Sequence, residues 1–195
     1  MALGGLGVTV GSDRSTADRI LDATAVALTF RGVTKLTMSD VSSAAGVSRP
    51  TLYRYFATKE ALLDALAMHE QERFDAGLEA AVASAPTPDE RLDLATQYLV
   101  DFLYENRARL LVAVEPSFVL ERLRISLPIQ ASSLTELLGD ALARTPTVLR
   151  GDTTPHDLAE IIVRIAMSHY LLPHPDPDAM LRTLRALVGT SRRPR

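Results

Sequence analysis

The segment VSRPTLYRYF, residues 47–56, carries three of the chain's ten aromatics in its last four positions. Two arginines stand among them, and a proline lies near the front. At 100° per residue, Leu52 and Phe56 fall one turn apart on one side. Arg54 points the opposite way, with Pro50 and Thr51 on either side of it and Tyr53 and Tyr55 flanking the set. The spacing predicts a short helix over 48–56 with an apolar inner side and a cationic, hydroxylated, aromatic outer side. Pro50 sits in the first turn, where a backbone N–H has no intrahelical partner to lose. Its ring offers a flat apolar surface to a thymine methyl. Arginine can fork onto guanine O6 and N7, and Thr51 can meet a base edge. The tyrosine hydroxyls and Lys59 can donate to phosphates. Ser48 and Thr37 stand at helix N-termini, which favour phosphate oxygens. Taken alone, such a face is equally a solvated helix surface, so the neighbouring sequence decides.

On the N-terminal side, Thr37 is a good helix cap with Asp40 three places on. Val41, Ala44 and Ala45 then face one way, and Gly46 ends the segment after about two turns. A two-turn helix, a glycine turn and a second short helix make a helix-turn-helix unit. A third helix, 15–31, is expected from Ile20, Ala23, Ala27 and Phe30, with Gly32 as its C-terminal cap. After the unit, Thr58 opens a long helix that ends at Pro86. Further helical stretches cover 88–105, 107–114, 117–144, 155–172 and 177–188, with Pro128 expected to kink or split its helix. No segment alternates with period two, and no βαβ rhythm or internal repeat appears. The fold class is all-α.

The stretch from Thr16 to Leu66 resembles the TetR family of transcriptional repressors. The residues that carry the likeness are ADRILDATAVALTFRGVTKLTMSDVSSAAGVSRPTLYRYFATKEALLDAL, above all AAGVSRPTLYRYFATKEALL. The resemblance implies an N-terminal three-helix DNA-binding domain joined by a long helix to a helical ligand-binding and dimerisation domain. It also implies a homodimer that binds a palindromic operator and is released by a small-molecule effector. By it, the DNA-facing residues are Thr37, Ser48, Arg49, Pro50, Thr51, Tyr53, Arg54, Tyr55 and Lys59. Pro50, Thr51 and Arg54 are assigned to bases; Tyr53, Tyr55, Lys59 and Thr37 are assigned to phosphates. Many members carry a small residue such as glycine where this chain has Pro50, a departure that bears on the operator sequence. The expected division is a disordered arm over 1–14, the DNA-binding domain over 15–60 and the remaining domain over 61–190.

The later two-thirds of the chain carry no comparable signature. Leu158, Ile161, Ile162 and Ile165, then Met180, Leu181, Leu184 and Leu187, form apolar stripes that resemble the family's dimer-forming helix pair. Packing within one subunit explains the same stripes. Tyr98, Phe102 and Phe118, with Tyr104, are candidates to line a ligand cavity, although aromatics at helical spacing also serve as plain core. Arg107, Arg109, Arg122 and Arg124 are candidates to meet an anion.

The remaining features narrow the function classes. The net charge is −3, but residues 1–60 carry +2 and the rest −5, and the only two lysines, Lys35 and Lys59, lie in the first part. There are no cysteines, hence no disulfide framework or thiolate site, which fits a reducing cytoplasm. The opening MALGGLGVTV lacks the basic front of a signal peptide. The longest apolar run, LAEIIVRIAMSHYLL, carries Glu160 and Arg164 and reads as amphipathic rather than membrane-spanning. A cytoplasmic location without membrane partner is expected. No phosphate loop, nucleophile elbow or triad pattern appears, so no enzyme and no cofactor is expected. His156 with Glu160, and His69 with Glu72, are pairs at helical spacing, and two ligands do not make a metal site. The rival to a regulator is a helical adaptor or ligand-binding protein without regulatory DNA binding, which has no use for the polar face around Arg54.

Overall fold

The computed structural model describes residues 15–105, 111–173 and 175–189. The expected arm over 1–14, together with Arg107 and Arg109, lies outside the described residues. Within them the chain folds as helices α1 (Thr16–Lys35), α2 (Met38–Ala45), α3 (Arg49–Tyr55), α4 (Lys59–Val82), α5 (Pro88–Glu105), α6 (Leu111–Val114), α7 (Pro116–Leu142), α8 (Pro146–Leu149), α9 (Pro155–Leu171) and α10 (Pro177–Val188). No strand occurs among the described residues. Local chemistry sets the helix starts. Ser15 and Thr37 each form a capping box with the aspartate three places on. Ser48, Thr58 and Thr154 accept from the backbone N–H of Thr51, Ala61 and Asp157. These hydroxyls satisfy donors that a helix start leaves unpaired.

Two helices depart from the sequence expectation. In α1, of the expected Ile20, Ala23, Ala27 and Phe30, Ile20 is fully buried and Ala23 and Ala27 pack partly buried against the core, but Phe30 is 82% exposed. The buried stripe is Ile20, Leu21, Thr24 and Leu28. Thr24 is burial-tolerant because its hydroxyl donates to the Ile20 carbonyl at 2.7 Å, which a simple apolar count overlooks. Gly32 breaks the helix at φ 70, ψ 166, and one further turn follows it. In α7, Pro128 does not split the helix, which runs unbroken from Pro116 to Leu142. Proline removes the bond to the carbonyl four places back and crowds that carbonyl, and here both Pro128 and Arg124 are exposed, so water can take it.

Burial gathers the apolar side chains into two clusters. The head cluster holds Ile20, Leu28, Leu36, Val41, Leu52, Leu62 and Leu66, among others. The body cluster is built from α4, α5, α7, α9 and α10, with Phe74, Leu78, Leu138, Leu142, Leu158 and Leu184 near its centre. Helix α4 serves both, Leu62 to Leu66 in the head and Phe74 to Val82 in the body. A second joint lies at the start of α7 and the end of α9. There Val119 is buried in the head cluster, and Phe118, Tyr170 and Leu171 pack against it. Helices α7 and α9 run antiparallel, since Thr135 near the far end of α7 meets His156 at the start of α9 at 3.2 Å.

Phe74, Tyr98 and Phe102 form an aromatic group in the body, with ring centroids 5.0–6.0 Å apart. The Tyr98 hydroxyl donates to the Phe74 carbonyl at 3.2 Å. Burial, the largest effect, raises its pKa. This packing requires Gly77, where an added Cβ would lie 2.2 Å from the Tyr98 oxygen. Gly139 in α7 has nothing within 4 Å of such a Cβ. The two glycines therefore predict opposite outcomes in thermal unfolding. Gly139→Ala should stabilise by about 0.5–1 kcal/mol through backbone entropy. Gly77→Ala should destabilise by about 1–3 kcal/mol through overpacking. Equal shifts of the melting midpoint would contradict the aromatic packing described.

Candidate DNA-binding surface

Helix α2 ends in Gly46 at φ 63, a left-handed conformation that glycine adopts without strain. Its N–H bonds back to Ser42 and Ser43, and that of Val47 reaches the Ser42 carbonyl at 3.0 Å. The chain thus turns within three residues and α3 begins. Leu52 seals α3 into the head cluster at 0% exposure, and Phe56, its C-cap, packs against the same cluster. Two long-range contacts fix α2 against α1. Arg19 donates to the Ala45 carbonyl at 3.1 Å, and Arg31 pairs with Asp40 at 3.3 Å.

The opposite side of α3 is open. Arg49, Pro50, Tyr53, Arg54 and Tyr55 are exposed, the two tyrosines by 50% and 43%. Arg54 stacks over the Tyr55 ring, 5.4 Å from its centroid, which pre-orders a flexible cation. The other residues expected at DNA also have roles inside the head. The hydroxyls of Ser48 and Thr51 lie 2.8 Å apart. Arg49 donates to Ser39 on α2. Thr37 donates to Asp40 at 2.7 Å while capping α2. Lys59 donates one Nζ–H to the Val33 carbonyl, and its ammonium carries two further donors that can point outward. The structure therefore brings Arg49, Pro50, Tyr53, Arg54 and Tyr55 onto the exposed surface of one helix, with Thr37 and Lys59 at helix starts of the same head.

The candidate ligand residues separate. Tyr98 and Phe102 meet Phe74 in the body, whereas Phe118 packs on the head cluster with Arg122 stacked 5.3 Å over its ring. Tyr104 packs against the body cluster. Arg122 pairs with Asp64 on α4 at 2.7 Å, and Arg124 pairs with Glu121 at 2.8 Å. The paired histidines part as well: His156 meets Thr135, Glu160 meets Arg164, and His69 faces Asp18 and Asp22. Among the described residues no three His, Asp or Glu side chains are placed to hold a metal. No described helix is long and apolar enough to cross a membrane.

Sequence reasoning missed the contacts that tie these parts together. Ser39, Arg19 and Arg31 act across 9 to 26 positions, and Glu115 accepts from the Thr34 N–H at 3.0 Å across 81 positions. Helical periodicity reports which side of a helix is buried, not which polar residue on another helix it meets.

Residues 20–66 match the sequence model of the family described as bacterial regulatory proteins, tetR family. An HTH-type transcriptional regulator of Mycobacterium tuberculosis is 37% identical over 92 residues, which is 47% of this chain and 46% of that one. The chain thus aligns with about half the length of that relative. Over the whole fold, the fatty acid degradation regulator FadR from Bacillus halodurans superposes with a TM-score of 0.69 at 18% identity, covering 94% of this chain and 100% of that one. AibR in complex with isovaleryl coenzyme A and operator DNA gives a TM-score of 0.57 at 16% identity, covering 89% and 98%.

The capping boxes give the head a dependence on pH. The Asp40 carboxyl is held below its ordinary range, first by its hydrogen bond with the Thr37 side chain, then by the Thr37 backbone, with a smaller contribution from Arg31. A carboxyl whose folded pKa is depressed stabilises the fold fully above its unfolded value, near 3.9, and loses that contribution as pH falls through the folded value. Wild-type melting should therefore decline below pH about 4. Asp40→Asn should melt lower at neutral pH and show a shallower acid decline in circular dichroism melts. Parallel curves for the two proteins would show that this carboxyl contributes nothing.

Proposed function

We propose that this chain, which belongs to the tetR family of bacterial regulatory proteins, is a homodimeric transcriptional repressor that binds a palindromic operator and releases it when a small molecule enters the body. The observation that carries the reading is the open side of α3. Arginines, a proline and tyrosines stand exposed on a helix whose other side is sealed by Leu52. Residues 15–60 form the DNA-binding domain and 61–190 the effector and dimer domain. Pro50, Thr51 and Arg54 read bases in the major groove; Tyr53, Tyr55, Thr37 and Lys59 hold phosphates.

The effector is a largely apolar molecule bound among α5, α7 and α9, beside Tyr98 and Phe102. An acyl thioester of the kind bound by AibR is the first compound to try. The effector works by preferring one arrangement of head and body, with a coupling of roughly 1–3 kcal/mol.

The dimer seam follows from what one subunit leaves uncovered. Leu158, Ile162, Met180, Leu181 and Leu184 are spent in the subunit's own core. Ile161 and Leu172 on and just after α9, and Leu120, Ile125 and Ile129 on α7, stay exposed. We assign the seam to α9 with α7 beside it. In the dimer, the two copies of α3 should lie about 34–36 Å apart, one turn of B-DNA.

Ile161 is 42% exposed and Ile162 only 7%, so Ile161 is the site to probe. Ile161→Glu should yield a folded monomer, because the dimer would bury an unpaired charge at a cost of about 3–5 kcal/mol. Light scattering that finds the wild type monomeric at micromolar concentration would refute the seam.

The DNA reading is tested on the strongest genomic fragment the protein selects and on random DNA, across a salt series. Arg54→Ala should lose about 1–3 kcal/mol on the selected fragment and little on random DNA. Equal losses on both would make Arg54 a phosphate clamp. A protein that retards neither DNA would be an adaptor or ligand-binding protein instead.

A further inference from the structure

We propose that Glu115 is the positioning residue through which the body sets the geometry of the head, by capping the broken end of α1 from the start of α7. The inference rests on the DNA-binding reading above and names how that site is regulated.

The break at Gly32 creates the need. A helical turn that restarts after a break presents first-turn N–H groups without internal partners. The residue in the capping place is Gly32, which has no side chain to supply an acceptor. The acceptor comes from the body: the Glu115 carboxylate takes the Thr34 N–H at 3.0 Å. On the other side of the same peptide group, Lys59 donates to the Val33 carbonyl. The peptide joining Val33 to Thr34 is thus gripped between a body carboxylate and the first residue of α4. The Glu115 carboxyl is held below its ordinary range chiefly by the Thr34 backbone bond, with the charge of Lys59 adding to it.

The surrounding structure makes the grip transmit. Glu115 is the N-cap residue of α7, yet its side chain makes no capping bond to its own helix. It is committed to α1 instead. Val119, one turn on, is buried in the head, and Arg122 holds Asp64 of α4 at 2.7 Å. The far half of α7 lines the body core through Ala131, Leu134 and Leu138. A shift of α7 around a bound molecule would therefore pull at Thr34 and Lys59. Lys59 opens α4 three residues after Phe56, where α3 ends. The angle at which α3 meets DNA would follow.

Hydrogen exchange on the full-length protein, alone and with its strongest selected genomic duplex, tests this without knowing the effector, because coupling between two sites is reciprocal. In the wild type, the Thr34 amide should be protected and DNA should alter exchange along α7. In Glu115→Ala, Thr34 exchange should rise at least about tenfold, as expected when a hydrogen bond to a charged group is lost, and the response of α7 to DNA should vanish while the body core stays protected. Glu115→Gln keeps an acceptor without the charge and should fall between the two. It also serves if the alanine variant does not fold. Wild-type protection of Thr34 in both variants, or an undiminished α7 response, would overturn the proposal. If the wild type binds no DNA, the DNA-binding reading fails, and Thr34 exchange in the free protein still decides whether Glu115 holds α1.

Discussion

A seven-residue helix has no independent stability in water, so α3 exists only because something else holds it. That something is the burial of Leu52 among Ile20, Val41 and Leu62. One side chain from the short helix reaches a cluster contributed by α1, α2 and α4. Ser48 and Pro50 reduce the cost of starting α3, and Gly46 sets the direction in which it leaves α2. Remove the shared cluster and no local feature of residues 48–56 would keep the outer side chains in register. The surface is thus a product of tertiary packing, even though every residue on it is local.

The head was legible in the sequence for the same reason. Its signals are short-range: Thr37 with Asp40, Gly46, Ser48 with Pro50, and the one-turn spacing of Leu52 and Phe56. Each is a rule about neighbours within four positions. Where two sides of a helix compete, the signal weakens. Ala23 and Ala27 pointed to a buried line ending at Phe30; both pack partly buried against the head, but Leu21, Thr24 and Leu28 supply the fully packed side and Phe30 is exposed. A count of apolar residues cannot see that the Thr24 hydroxyl is satisfied by its own helix. Likewise Pro128, expected to kink or split its helix, does not split α7.

The body was legible as helices and little more. Its apolar stripes at Leu158 to Ile162 and Met180 to Leu184 have the pattern of either a dimer seam or a core, and periodicity does not choose between them. Folding places Leu158, Ile162, Met180, Leu181 and Leu184 inside one subunit and leaves Ile161 exposed. The aromatic residues behave alike in sequence and differently in space, with Tyr98 and Phe102 meeting Phe74 while Phe118 turns to the head. The polar contacts that join the two clusters, at Glu115 and Arg122, span 81 and 58 positions. No motif announces a partner so distant.

The open side of α3 has an evolutionary consequence. Tyr53 and Arg54 stand outside the sealed cluster that Leu52 closes. Mutations at these positions leave the stabilising side of the helix untouched, so they are nearly free of the stability threshold that limits change elsewhere. After a gene duplication, a copy could acquire a new outer surface by a few substitutions on one face while keeping the rest of the molecule; on the proposed reading, that is a new binding sequence. Arg49, Ser48 and Thr51, tied into the head by their own bonds, would change more slowly. The pace of drift along α3 would therefore alternate from residue to residue, following which side chains carry load and which carry information.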